Sequence, residues 1–143
     1  MYNMEHYFTG VCRWAKVFEP DTKYGPTYSI EVKLDDDEYK RYRDVGCQGE
    51  LSKDGQGYLT FRRKEQMLSR AGKLMKFGPP MVIDKEGQPF DESIGNGSEV
   101  IVKVVTFETE KGVGTRLEAV KVINHVVFDK EDTQKNRDFA PRW

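Results

Sequence analysis

The alternation of apolar and polar residues is clearest in the stretch TYSIEVKL, residues 27–34. Its apolar members share one parity: Tyr28, Ile30, Val32 and Leu34. Because successive side chains of a strand point to opposite faces, this pattern predicts a β-strand with one buried face. Composition and flanking turn residues predict four further strands, at 8–18, 57–65, 98–110 and 114–128.

Residues 35–46, DDDEYKRYRDVG, predict a short helix inserted between the second and third strands. Acidic residues at its start and basic residues toward its end complement the helix dipole, and Gly46 can close it. The same acids could suggest a metal site, but helix capping already accounts for them. Residues 65–78 favour no single structure, and residues 78–84 predict a short extended piece.

Five predicted strands with one inserted helix favour a small barrel over a β-sandwich. The predicted fold class is mainly β, a five-stranded OB-fold-like antiparallel barrel with one short inserted helix and extended loops. The last two strands would join in a hairpin at Lys111-Gly112. Residues 1–128 would form the domain, and residues 129–143 are polar without apolar periodicity, which predicts a flexible tail.

Composition narrows the class of protein. The 143 residues suit one domain, and no apolar run approaches the about 20 residues of a membrane-spanning helix. The N-terminus lacks the pattern of a secretory signal, so we expect a cytoplasmic location. Cys12 and Cys47 are too far apart for a zinc site and are expected to be buried free thiols. With two histidines and no Walker-type phosphate loop, we expect neither an enzyme nor a bound cofactor.

Strand parity predicts which side chains face away from the core. The residues predicted to point inward are apolar: Val11, Ala15, Val17, Leu59, Phe61, Val100, Val102 and Val104. Arg63 would lie at the rim. The residues predicted to lie on the opposite face include aromatic and basic side chains: Trp14, Lys16, Tyr58, Arg62, Lys64, Ile101, Lys103, Val105 and Phe107. Three strands thus each place an aromatic ring and a cation on the non-core face.

Aromatic rings that stack on bases and cations that meet phosphates are what a sequence-tolerant single-strand binder needs. The predicted stacking residues are aromatic: Trp14, Tyr58, Tyr24, Phe77 and Phe107. The predicted phosphate contacts are basic: Arg13, Lys16, Arg62, Lys64, Lys76, Lys103 and Arg116. The net charge of −1 argues mildly against this function, but the acids concentrate at 35–38, 84–92 and 108–110, so a groove elsewhere can be positive.

The same face has other interpretations. Its large aromatics could be core residues that pack under a second layer. Alternatively, the chain could be a β-barrel protein-interaction or virion assembly module without nucleic-acid binding, with Ile101, Val105 and Phe107 as its apolar centre. Salt dependence separates the two functions, because only DNA binding weakens linearly with the logarithm of salt concentration.

Five weak motifs, taken in their order and spacing, carry a family resemblance. They are RWAKVFEP (13–20), YSIEVKLD (28–35), GPPMVIDKEGQPF (78–90), IGNGSEVIVKVV (94–105) and GVGTRLEAVKVI (112–123). Together they resemble the OB-fold single-stranded DNA-binding proteins of tailed phages, over roughly residues 8–125. The resemblance implies a non-enzymatic protein that coats single-stranded DNA and assists replication, recombination and repair in the cytoplasm of the infected bacterium.

The resemblance also implies partners. These would be single-stranded DNA, the phage DNA polymerase and the helicase-primase, with homo-oligomers forming on DNA. Many members of this family end in a strongly acidic tail that recruits partners. Residues 129–143 instead hold four acids and four bases, and only the terminal Trp143 matches the family pattern. Either an acidic tail lies beyond this sequence, or partners are recruited differently.

Overall fold

The computed structural model describes residues 4–21, 26–68, 71–109 and 112–126. Within these ranges the chain forms eight strands and one helix. In chain order they are β1 (Met4–Asp21), β2 (Thr27–Leu34), α1 (Asp36–Asp44), β3 (Tyr58–Lys64), β4 (Gln66–Leu68), β5 (Leu74–Lys76), β6 (Met81–Asp84), β7 (Glu99–Thr109) and β8 (Gly112–Asn124). The tail at 129–143 and the turn residue Lys111 lie outside the described residues.

A single six-stranded sheet, in the order β3-β2-β1-β7-β8-β6, builds the body of the fold. The long strand β1 pairs with β7 through its first half and with β2 through its second half. All the ladders are antiparallel except that of β6 on β8, which is parallel. The mainly β, OB-like class is confirmed, and the sheet has one strand more than the five expected because residues 81–84 extend it.

The ambiguous region after β3 is a small hairpin of its own. Strands β4 and β5 pair only with each other, and β5 is exposed along its length. A segment this short carries too few apolar positions for its periodicity to distinguish strand from helix.

The helix forms as its charge pattern predicts. The side chain of Asp35 accepts a hydrogen bond of 2.8 Å from the backbone N–H of Glu38, which satisfies one of the open donors of the first turn. Tyr42 is the buried residue of this helix, and its ring meets Phe8 and Phe61 edge-on at centroid distances of 5.5 and 6.0 Å. The acidic cluster therefore caps the start of α1. Tyr42 packs the helix onto the core.

The core consists mainly of aliphatic side chains from the inner face of the curved sheet. Its fully buried members include Phe8, Ile30, Val32, Leu59, Phe61, Val100, Val102, Val104, Leu117 and Val120. Both cysteines are buried free thiols, as expected. Burial raises the pKa of the Cys12 thiol to about 11. The inward assignments in β3 and β7 are thus confirmed.

The assignment of Val11 to the core is wrong. Val11 is 40% exposed, whereas its neighbour Cys12 is fully buried. The ladder between β1 and β2 gains one residue on β1 between Arg13 and Lys16, which is a β-bulge. A one-residue shift moves the following side chains to the other face, so Val17 is buried although it shares the parity of Val11.

Candidate nucleic-acid interface

A groove of about 1200 Å³ runs over the outer face of β1, β2 and β3 and reaches the ends of β7 and β8. Its described lining includes three aromatic rings and four cations: Trp14, Phe77, Phe107, Lys16, Arg62, Lys64 and Arg116. Glu31 is the one carboxylate among these lining residues. The groove is therefore positively lined although the whole chain carries a net charge of −1.

The cations stand on either side of a low floor formed by β2. Ser29 pairs with Lys16 of β1 on one side and with Arg62 of β3 on the other. Thr27 pairs with Lys64, two residues further along β3 and on the same face. Since neighbouring strands lie about 4.8 Å apart, the backbones that carry Lys16 and Arg62 are separated by about 10 Å. The small β2 side chains leave this space open between the charges.

The β-bulge in β1 places Trp14 at the wall of the groove. Trp14 has a φ of +50°, the one positive value at a non-glycine residue in the described part of the chain. Its backbone N–H donates a 2.7 Å hydrogen bond to Oδ1 of Asn96, so the loop before β7 holds this conformation. The indole remains 53% exposed. Neither the bulge nor the contact with Asn96 can be predicted from the alternation of residues.

Arg13 lies beside the groove, between two aromatic rings. Its guanidinium carbon is 3.9 Å from the Trp14 ring centroid and 3.9 Å from the Tyr58 ring centroid. Its Nη2 is 2.9 Å from a carboxylate oxygen of Glu31 and 2.9 Å from one of Asp54. These contacts leave the side chain 11% exposed.

Arg63 does not line the groove, but it holds the backbone at Phe77, which lines the far end. Its guanidinium donates to the carbonyl oxygens of Phe77 and Gly78, at 2.7 and 2.9 Å. It also bonds to Leu117 O and Glu118 Oε2 of β8, at 3.2 and 2.5 Å. The edge strand β3 is thereby tied to β8 through a side chain.

Phe77 and Arg116 share this end of the groove. The guanidinium carbon of Arg116 is 4.8 Å from the Phe77 ring centroid, and its Nε is 3.1 Å from Glu118. Burial raises the pKa of the Glu118 carboxyl, but its hydrogen bonds to Arg116 and Arg63 and their charges outweigh this and lower it. Glu118 therefore stays ionised as the partner of both arginines.

Phe107 reaches the groove across a glycine on the neighbouring strand. A Cβ on Gly114 would lie 2.6 Å from Cε2 of the Phe107 ring, well inside van der Waals contact. Only glycine therefore lets the ring lie over β8 at this point. The sequence predicts a strand that begins at Gly114, but the packing of this glycine against Phe107 depends on the β7–β8 register.

The remaining predicted site residues lie elsewhere. Tyr58 and Arg13 are next to the groove, and Arg13 lines a smaller adjoining cleft with Trp14 and Arg62. Lys103 is not among the groove-lining residues; its Nζ is 3.2 Å from Glu5 and 6.0 Å from the centre of the Tyr7 ring. Lys76 is exposed at the end of β5. Tyr24 lies outside the described residues.

The described ranges offer neither a metal-binding cluster nor a membrane-spanning helix. They contain no group of three or more His, Cys, Asp or Glu side chains that could hold a metal ion. No helix in them is long and apolar enough to cross a bilayer.

Solved structures of other proteins share the fold of this chain. No family model and no curated protein matches the sequence. The structure of gp2.5, a single-stranded DNA-binding protein encoded by bacteriophage T7, superposes with a TM-score of 0.65 at 14% identity, over 99% of this chain and 98% of that chain. The single-stranded DNA-binding protein of bacteriophage Enc34 gives 0.56 at 15% identity, over 95% and 88% of the two chains.

A third structure is the Enc34 protein in complex with single-stranded DNA, with a TM-score of 0.54 at 12% identity and 87% of each chain covered. At such identities the likeness concerns the fold. The resemblance expected from the order of the five sequence motifs is confirmed at this level. The chain has the OB-like fold of phage single-stranded DNA-binding proteins.

Proposed function

We propose that this protein binds and coats single-stranded DNA with little sequence preference. The observation that carries the proposal is the groove itself, in which cations on β1 and β3 flank a floor of small polar residues and aromatic rings stand at both ends. Phosphates would lie between the cations while bases stack on the rings, an arrangement that tolerates any sequence because every base has a π-face. The neighbouring phage structures support the same function.

The bases would stack on Trp14, Phe77 and Phe107, which line the groove, and on Tyr58 beside it. The phosphates would meet Lys16, Arg62, Lys64 and Arg116. Glu31 is the one acid of the described lining, and it is already paired with Arg13. The exposed cations Lys16, Arg62 and Lys64 give this part of the groove a positive charge, which favours a polyanionic ligand.

The wider role follows from the same binding. By coating single strands the protein would act in phage DNA replication, recombination and repair, in the cytoplasm of the infected bacterium and without enzymatic activity. Its partners would be the phage DNA polymerase and helicase-primase, and it would form homo-oligomers on DNA. Pull-down of each enzyme with and without a single strand would test these partnerships directly.

The protein-interaction alternative has less support. It needs Ile101, Val105 and Phe107 as an exposed apolar centre, but Val105 is 5% exposed and Phe107 is half-buried in the groove wall. The core of a protein interface is typically more apolar than the rest of the surface, and buried side chains cannot supply it. This face is better suited to a charged, stacked ligand.

The test is fluorescence anisotropy of a labelled dT oligonucleotide of about 30 nucleotides against a matched duplex, at several salt concentrations. We expect tight binding of the single strand alone. If all four groove cations neutralise phosphates, the slope of log K against log salt should approach about −3, at about −0.7 for each phosphate. Absence of binding at low salt would refute the proposal and direct the search to a protein partner.

A further inference from the structure

Arg13 differs from the other cations of the interface in what surrounds it. Lys16, Arg62 and Lys64 are exposed, whereas the Arg13 side chain is 11% exposed and lies between the Trp14 and Tyr58 rings. The two centroid distances of 3.9 Å are those of a guanidinium lying close over both ring faces. A planar guanidinium can stack in this way while its edge donates hydrogen bonds.

The edge of the guanidinium is occupied by two carboxylates. Nε and Nη2 of Arg13 are both 2.9 Å from Glu31 Oε1, and Nη2 is 2.9 Å from Asp54 Oδ2. Asp54 is itself held by the N–H of Gln56 at 2.9 Å and the hydroxyl of Ser52 at 2.8 Å. These two hydrogen bonds, followed by the contact with Arg13, hold the Asp54 pKa below its usual range, so the carboxylate remains charged.

We propose that Arg13 is a positioning residue, which fixes Trp14 and Tyr58 as a two-ring stacking platform and does not itself contact phosphate. The inference rests on the proposed function. The guanidinium covers one face of each ring, and Trp14 keeps 53% of its surface exposed for a base. Because the rings are already held in place, less side-chain entropy is lost when a base stacks on them.

The opposite role for Arg13 makes different predictions. If the strand displaced Asp54 from Arg13, the ion pair would be an autoinhibitory contact and Arg13 a phosphate ligand. Removing the Asp54 charge would then free Arg13 and tighten binding. In the positioning role, the same change loosens the platform and cannot tighten it.

Two variants separate these roles. Asp54→Asn removes one carboxylate, and the double variant Arg13→Gln/Asp54→Asn removes both charges and leaves the local net charge unchanged. Binding to labelled dT of about 30 nucleotides is measured over a salt series, with Arg62→Gln as the matched control for a groove cation. Thermal unfolding of each variant shows that it is folded at the assay temperature.

We expect the double variant to bind about tenfold more weakly, since stacked bases contribute about 1–3 kcal/mol each and 1.4 kcal/mol is tenfold. Its salt slope should equal that of the wild type, whereas Arg62→Gln should flatten the slope by about 0.7. Asp54→Asn should bind no more tightly than wild type. A flattened slope or an unchanged Kd in the double variant, or tighter binding by Asp54→Asn, would each overturn the inference.

Trp14 fluorescence reports directly on the position of the indole ring, independently of the stability of the fold. The chain has two tryptophans, so Trp143→Phe leaves Trp14 as the sole indole emitter. In that background the folded Arg13→Lys variant, which keeps the charge, should make Trp14 more accessible to acrylamide and weaken DNA binding. Unchanged quenching would count against the platform. Failure of the wild type to bind dT would instead refute the proposed function.

Discussion

Nη1 of Arg63 lies 2.5 Å from Oε2 of Glu118, and this ion pair joins the edge strand β3 to β8 across the open side of the sheet. The three consecutive cations Arg62, Arg63 and Lys64 therefore have two different functions. Arg62 and Lys64 are exposed in the groove, whereas Arg63 on the opposite parity is 11% exposed and structural. The closure also holds the Phe77 backbone, so the stability of the fold and the end of the groove depend on one side chain.

Arg63→Ala should reduce the free energy of unfolding by about 3 kcal/mol. The reason is that it leaves the partly buried Glu118 carboxylate and the Phe77 and Gly78 carbonyls without this donor. Urea denaturation followed by circular dichroism measures the change. Arg62→Ala, at an exposed neighbouring position, should change stability by no more than about 0.5 kcal/mol. Equal effects of the two substitutions would contradict the closing role of Arg63.

The same ion pair predicts a dependence of stability on pH. Folding lowers the pKa of Glu118, so its contribution is present above the unfolded pKa of about 4.3 and is lost as the pH falls below it. The difference in unfolding free energy between wild type and Glu118→Gln should therefore be constant near neutral pH and shrink in acid. Urea midpoints at pH 7, 5, 4 and 3 would measure it. A difference that stays constant down to the acid limit would show that Glu118 is not the titrating partner.

Trp14 combines a strained backbone with an exposed ring, so two substitutions separate its contributions. Trp14→Ala and Trp14→Gly should both weaken binding of single-stranded DNA by about 1–3 kcal/mol through loss of stacking. Trp14→Gly should be the more stable of the two by about 1 kcal/mol, because glycine adopts a positive φ without a Cβ clash. Anisotropy and denaturation on the same samples measure both quantities. If alanine were as stable as glycine, the bulge would have relaxed.

The groove cations should differ from Lys103 in their effect on salt dependence. Arg62→Ala should weaken binding and flatten the slope of log K against log salt by about 0.7. Lys103→Ala should leave the slope unchanged, because Lys103 is outside the groove and paired with Glu5. A salt series from low to physiological concentration provides both slopes. A flattened slope for Lys103→Ala would extend the DNA path to that face of the sheet.

The two thiols should be inert in the folded protein. Cys12 and Cys47 are 0% and 1% exposed, and burial raises both pKa values, that of Cys12 to about 11. The thiolate is the reactive form, so a thiol reagent at pH 8 should label neither cysteine until denaturant is added. Rapid labelling of Cys12 in the native chain would show that β1 opens locally.

Much of the fold was accessible from residue patterns alone. Alternation placed Leu59 and Phe61 in the core and Tyr58, Arg62 and Lys64 on the other face. Charge order predicted a helix within residues 35–46, and the helix forms at 36–44. These are local properties, because the period of a strand and the caps of a helix depend on residues close in sequence. The order of five weak motifs carried the expectation of the phage single-strand-binding fold.

The arrangement of the site was decided by pairings between distant segments. A bulge in the β1–β2 ladder reversed the faces of β1, so Val11 is outside and Trp14 reaches the groove. Arg13 meets Tyr58 of another strand, while Lys103 faces Glu5. The residue pattern alone was enough to predict the main strands and the helix, since both depend on local periodicity and capping. Which cations share a groove depends on the tertiary structure, because strand register and the Arg63–Glu118 ion pair join residues that are far apart in the chain.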